Sequence, residues 1–81
     1  MLIRFTPVAR LLPGVWVPGS DGAHLVVTDH GSRVVTEPTL FGVVARRVRY
    51  DHRRAGWVNA GPPRHFRSVS HAAWELRTPS D

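Results

Sequence analysis

The chain has 81 residues and a mass of 9.0 kDa, which allows one small domain, residues 1–81, and excludes a large enzyme. Hydrophobic residues make up 42% of the chain and charged residues 21%, so the chain has enough apolar mass to fold. Eleven arginines, no lysine and six acidic residues give a net charge of +5, and no cysteine is available for a disulfide or a thiolate metal site. This balance predicts a basic surface and a polyanionic or acidic partner.

The N-terminal residues do not have the pattern of a signal peptide. Arg4 and Pro7 interrupt the apolar stretch there, and no run approaches the roughly 18 apolar residues of a membrane span. We therefore expect a cytoplasmic protein of bacterial or phage origin that makes no membrane contact.

Glycine and proline recur along the chain at a spacing typical of short strands joined by turns. Residues 1–8 and 14–17 are the first two predicted strands, and Pro38 is predicted to break the next segment. Beyond it, residues 41–50 predict a longer strand that turns over residues 51–56 and returns along residues 56–60.

A first hairpin is predicted from two β-branched runs, residues 24–28 and 33–37, that meet at a turn containing Gly31. If His30 and Gly31 form a two-residue loop, three cross-strand pairs follow: Val27 with Val34, Val26 with Val35, and His24 with Glu37. A shift of one residue would exchange the two faces of this hairpin.

The C-terminal segment has a helical period instead. Four apolar residues lie at i, i+3, i+4 and i+7: Val69, Ala72, Ala73 and Leu76. Ser68 is the predicted N-cap, and Thr78 with Pro79 should end the helix. Trp74 falls off the apolar stripe, so we expect it partly exposed at the edge of the seam between helix and sheet.

These elements predict an α+β fold: a small twisted antiparallel sheet of four or five short strands, which could be barrel-like, with one C-terminal helix. The predicted core consists of Ile3, Phe5, Trp16, Leu25, Val27, Val34, Val44, Val48, Val58, Phe66, Val69 and Leu76. Because such a core is small, a homodimer formed through a sheet edge or an exposed tryptophan is plausible.

The strongest functional signal is the charge of residues 46–54, where five arginines and one aspartate give a net charge of +4. On a strand, Arg47 and Arg49 lie on one face and Arg46 on the other, while Arg53 and Arg54 occupy the hairpin tip. Guanidinium groups make bidentate contacts with phosphates, so this hairpin could lie along a nucleic-acid backbone or enter a groove.

Three aromatic residues could stack on unpaired bases: Tyr50, Trp57 and Trp74. The leading hypothesis is non-catalytic nucleic-acid binding through the Arg-rich hairpin, with DNA favoured over RNA. The alternative is a small adaptor or inhibitor, for example phage-encoded, that docks its basic patch on an acidic host protein. The same charges could also be a solvated edge that keeps the sheet from pairing with other molecules.

Signals for catalysis and metal binding are weak. The five histidines are scattered without the close pairing of a zinc site, and His71 with Glu75 fits a helix-surface pair better than a ligand set. The carboxylates stand in no motif with a nucleophile and a base, and no glycine-rich phosphate loop is present. We predict no enzyme, no cofactor and no metal site.

Residues 61–73 resemble a known family. Five residues match an aromatic-x-Ser-x-Ser-x-Ala-Ala signature: Phe66, Ser68, Ser70, Ala72 and Ala73. This signature is similar to that of the RAMA domain, a small module found beside DNA methylases and restriction systems, and residues 11–14 resemble the turn that opens such domains. The resemblance implies binding of DNA, including modified DNA. Residues 38–60 have no counterpart in it, and the family's terminal Trp-containing segment is missing after Thr78.

Overall fold

The computed structural model describes residues 3–28 and 31–76. Seven strands and one helix follow each other along this part of the chain: β1 (Ile3–Leu12), β2 (Val15–Pro18), β3 (Ala23–Thr28), β4 (Arg33–Thr39), β5 (Gly42–Asp51), β6 (Gly56–Asn59), β7 (Arg64–Phe66) and α1 (Val69–Glu75). A small antiparallel sheet with one C-terminal helix is therefore confirmed. The predicted number of four or five strands is too low, since seven are present in the described residues, and the short strand β7 carries no clear local signal.

Six of these strands close into a barrel. They are hydrogen-bonded in the order β4, β3, β1, β2, β6, β5, and β5 pairs back onto β4. Strand β5 is ten residues long, and along one edge its first half holds β7 while its second half holds β6. Closure pairs strands that would otherwise form the two free edges of a sheet.

The hairpin of β3 and β4 forms as predicted, but its register is shifted by one residue. His24 pairs with Thr36 and not with Glu37. The amide of Thr28 donates to the carbonyl oxygen of Ser32 at 3.1 Å, and the amide of Ser32 donates to the Thr28 hydroxyl at 3.2 Å. Because these bonds join Thr28 directly to Ser32, the connection is longer than the predicted two-residue loop, and all three predicted pairs are wrong.

This register decides which side chains fill the barrel. Leu25 pairs with Val35, and both point into the interior, whereas Val34 pairs with Val26 on the outer side. The interior cluster consists of Val8, Trp16, Ala23, Leu25, Val35 and Val48, with Val27 and Trp57 packed against it. The indole of Trp16 is almost wholly buried and is the largest group in this core.

A second cluster lies between the outer side of the sheet and α1. It consists of Val34, Val43, Ala45, Phe66, Ala72 and Leu76, with Val69 at its margin. The predicted apolar stripe is confirmed, and the Ser68 hydroxyl accepts the His71 amide at 3.2 Å as the predicted N-cap. A seven-residue helix is too short to persist alone, so this packing stabilises it. The predicted end at Thr78 and Pro79 lies outside the described residues.

Phe5 is the clearest error in the predicted core, since half of its surface is exposed. Val8 points into the barrel, so Phe5, three positions earlier on the same strand, lies on the outer face. Val44 is only half-buried. The side chain of Ile3 is not among those described.

The turn between β4 and β5 is absent from the predicted elements. Strand β4 continues through Pro38, and only Leu40 and Phe41 separate it from β5. Gly42 follows with a φ of +143°, and a Cβ there would lie 2.2 Å from the carbonyl oxygen of Phe66. Glycine is therefore required where the start of β5 lies against the end of β7. No helix of the described part is long and apolar enough to cross a membrane.

Candidate nucleic-acid interface at one end of the barrel

The antiparallel strands place their turns at two opposite ends of the barrel. The β3–β4 and β5–β6 connections lie at one end, which we call the basic end because it carries Arg33, Arg49 and the tip residues 52–55. The β1–β2 and β4–β5 turns lie at the other end, which we call the apolar end because it exposes Leu11, Leu12, Leu40 and Phe41. Ten residues of β5 separate the two ends, about 30 Å along the strand.

The carboxylate of Asp51 organises the tip of the β5–β6 hairpin. One oxygen accepts the backbone amides of Arg53 at 2.9 Å and Arg54 at 3.4 Å, and the other accepts a hydrogen bond from the Arg54 guanidinium. The side-chain hydrogen bond from Arg54, together with these two amides, holds the pKa of Asp51 below its usual 3.8. The tip is thus fixed by an ionised carboxylate that also engages one of its two arginines.

A cleft of about 530 Å³ opens at the basic end. It is lined by Gly31, Arg33, Val48, Arg49, Tyr50, Trp57 and Ala60. Arg33 brings a guanidinium group to the cleft, and two of the residues bring aromatic rings. The side chain of Arg49 projects from the opposite, outer face of β5. The cleft therefore combines positive charge with ring faces.

The aromatic rings of the cleft are held in place by several contacts. Tyr50 and Trp57 are cross-strand partners whose rings meet edge to face, with centroids 5.3 Å apart and planes at 77°. The ring of His52 contacts Tyr50 at 4.9 Å in a similar geometry. The guanidinium carbon of Arg33 lies 5.6 Å from the centre of the Trp57 indole. Tyr50 keeps 43% of its surface exposed despite these contacts, so it remains available to a ligand.

Arg33 is a candidate site residue that the sequence did not predict. It lies on β4 and pairs with Val27, while Trp57 lies on β6, with β5 between the two strands. Only closure of β5 onto β4, with Val34 opposite Arg47, brings Arg33 towards the indole. No local pattern around residue 33 predicts a pairing between strands this far apart in the sequence.

Arg46, one of the five predicted arginines, does not line the cleft. It lies on the face of β5 that carries Val48, and its guanidinium donates to Glu37. Glu37 also accepts two hydrogen bonds of 3.1 Å from Arg10, whose guanidinium carbon lies 4.9 Å from the ring centre of Trp16. Arg46 is therefore part of an ion-pair network between strands, above the indole at the centre of the core.

The remaining four arginines of the predicted site have different environments. Arg47 lines a smaller cavity of about 110 Å³, beside Arg64 and under α1. Arg49 lines the cleft and Arg53 is exposed at the tip, and neither makes an ion pair with residues 3–28 or 31–76. Arg54 is paired with Asp51. The basic end thus offers Arg49 and Arg53 most directly to an anion.

Trp74 lies on α1, is 54% exposed, and does not line the cleft. The structure therefore places it away from the other two predicted stacking residues. Of the residues that resemble the RAMA signature, Phe66, Ala72 and Ala73 are buried around α1 and Ser68 caps it. None of them lines the cleft either.

The histidines and carboxylates of the described ranges form no group of three or more that could hold a metal ion. His71 and Glu75 are 3.6 Å apart, as expected for a helix-surface pair. No protein-family model, curated protein or solved structure matches the chain. The RAMA resemblance accordingly stays a prediction from residues 11–14 and 61–73, and the geometry of the basic end is the remaining guide to function.

Proposed function

We propose that the protein is a non-catalytic nucleic-acid-binding module, with DNA as the favoured partner, and that it binds through the basic end of the barrel. The observation that supports this most is the composition of the cleft, in which the rings of Tyr50 and Trp57 lie beside the guanidinium of Arg33. Nucleic acids offer base faces for stacking and phosphates for guanidinium groups within one nucleotide of each other. Few other ligands present both features together.

Within this proposal the arginines have unequal roles. Arg53 at the tip and Arg49 at the cleft contact phosphates, because both are exposed and make no ion pair within the described ranges. Arg54 contributes less, since Asp51 already engages its guanidinium. Each phosphate that is neutralised adds about 0.7 to 0.9 to the slope of log affinity against log salt.

Fluorescence anisotropy with labelled single-stranded DNA, duplex DNA and hairpin RNA, measured across a salt series, tests the proposal. We expect micromolar or tighter binding at roughly 50 mM salt, with affinity falling steeply as salt rises. The double variant Arg49→Ala/Arg53→Ala should lower the salt slope by about 1.5. Arg67→Ala is the matched control, because Arg67 is exposed near the apolar end of the barrel. Failure to bind any of these nucleic acids at that salt concentration rejects the proposal.

A small adaptor that docks on an acidic protein is the second candidate. Its basic patch would meet the acidic protein, and the apolar end, where Leu40 is 95% exposed and Phe41 is 92% exposed, would add apolar contacts. Large apolar side chains of this kind are typical of the centre of protein interfaces, whereas a phosphate backbone makes no use of them. In this case Arg49→Ala/Arg53→Ala would abolish capture of the acidic protein partner, and Leu40→Ser/Phe41→Ser would weaken that capture while leaving nucleic-acid affinity unchanged. Size-exclusion chromatography of the same variant would also show whether this end forms the predicted homodimer.

A further inference from the structure

We infer that the cleft at the basic end receives one unpaired nucleotide, with its base against Tyr50 and its phosphate on Arg33. This inference rests on the proposed function and names its substrate class: a single strand, or a nucleotide displaced from a duplex. A regular duplex would then contact the tip residues and leave the cleft empty.

The dimensions of the cleft suit such an occupant. Its volume of about 530 Å³ lies within the usual range of small-molecule sites, about 300 to 1,000 Å³. Val48 belongs to the buried interior and forms the apolar floor, while Gly31 and Ala60 bring no large side chain to the walls. A flat ring can therefore enter beside the aromatic residues.

The orientation of the rings favours an unpaired base over a paired one. Within a duplex each base has both faces covered by its neighbours, so an aromatic side chain stacks on a paired base only by unstacking it from a neighbour, which costs a few kcal/mol. A base that has left the helix or was never paired offers its face without this cost. Edge-to-face contacts with Trp57 and His52 restrain the ring of Tyr50, and 43% of the residue's surface remains exposed. Tyr50 thus presents a pre-oriented surface to a base.

The charges around the cleft determine whether it favours an anionic or a cationic ligand. Aromatic rings in such an arrangement could also receive an alkylated ammonium group. However, Arg33 lies over Trp57, and none of the lining residues within 3–28 and 31–76 is acidic. The Arg33 guanidinium repels a cation and attracts a phosphate, which selects a nucleotide over a methylated amine.

Three duplexes of identical flanking sequence test the inference: one fully paired, one with a single bulged adenosine, and one with an abasic bulge. Anisotropy should show that the bulged adenosine increases affinity about tenfold over the paired duplex, and that the abasic bulge loses this gain. Tyr50→Leu should abolish the preference, so that the bulged and the paired duplex bind with the same affinity. Tyr50→Phe should retain the preference because it keeps the ring, and Trp74→Leu should retain it because Trp74 lies outside the cleft.

The outcomes separate this inference from the proposed function. Equal affinity for all three duplexes, with a steep salt dependence, would overturn the inference and leave nucleic-acid binding intact. A preference for the bulge that survives Tyr50→Leu would also overturn it, because the base would then lie elsewhere. Absence of binding to all three duplexes and to single strands would overturn both.

Discussion

The guanidinium carbon of Arg33 lies 5.6 Å from the centre of the Trp57 indole, although the two residues belong to strands that β5 separates. The contact joins the first half of the chain to the second at the mouth of the cleft. It also fixes a positive charge beside an aromatic surface, which is the combination that the proposed function requires.

Replacing Arg33 should weaken nucleic-acid binding more than it weakens the fold. Arg33→Gln removes the charge over Trp57, and we expect affinity for single-stranded DNA to fall about three- to tenfold at low salt. An exposed cation–π contact contributes about 0.5 to 1 kcal/mol, so the melting temperature should fall by no more than several degrees. Anisotropy and thermal unfolding of the same preparation measure the two effects. An unchanged affinity would contradict a role for Arg33 at the interface.

Glu37 should matter for stability and not for binding. Its carboxylate accepts hydrogen bonds from both Arg10 and Arg46, so Glu37→Gln leaves an exposed and a partly buried guanidinium group without a counter-ion. We expect a loss of about 1 to 2 kcal/mol in the free energy of unfolding, measured by urea denaturation. Affinity for DNA should stay within twofold of the parent protein. A large loss of affinity with unchanged stability would show instead that this network belongs to the interface.

Alanine variants of Gly42 and Gly22 form a matched pair that tests the close approach of β7 to β5. Both have positive φ, but a Cβ at Gly42 would meet the Phe66 carbonyl oxygen at 2.2 Å, whereas nothing lies within 4 Å of a Cβ at Gly22. Gly22→Ala should cost about 1 kcal/mol through backbone strain alone. Gly42→Ala should cost more than about 2 kcal/mol, because β7 must also move away from β5. Equal effects in thermal or urea unfolding would mean that the close approach of β7 and β5 is unimportant.

The hairpin tip should lose its order only in strong acid. Hydrogen bonds from Arg54 and from the tip amides lower the pKa of Asp51 in the folded protein below 3.8. The stabilisation is therefore complete above the ordinary pKa of an aspartate, and it is lost as the pH falls through the lower folded value. The amide resonances of Arg53 and Arg54 should shift together in that range when followed by NMR. In Asp51→Asn they should not titrate, and a midpoint above 3.8 would contradict the assigned hydrogen bonds.

Local patterns were enough to predict much of the fold. The Val69-to-Leu76 stripe and the Ser68 cap predict α1, and the alternation on both sides of residues 51–56 predicts the β5–β6 hairpin. Both depend on neighbours in the sequence. Tyr50 and Trp57 come together for the same reason, since their pairing follows from one turn.

What the sequence could not predict depends on distant pairings. The β3–β4 register is set by the hydrogen bonds between Thr28 and Ser32. The predicted two-residue loop at Gly31 therefore assigned side chains to the wrong faces of the hairpin. The partner of Arg46 is Glu37, and the two meet because β4 pairs with β5. The sequence predicted a break at Pro38 and therefore not this pairing. Charge clustering in the sequence therefore overstated the number of arginines that are available to a ligand.

The most direct test of nucleic-acid binding at the basic end is an NMR titration of the isotope-labelled protein with a short single-stranded oligonucleotide. The amide shifts should change most at residues 31–33 and 48–60, which surround the cleft and form the tip, and the indole resonance of Trp57 should move while that of Trp16 stays in place. Shifts concentrated at Leu11, Leu12, Leu40 and Phe41, or the absence of any shift at saturating oligonucleotide, would contradict the proposal.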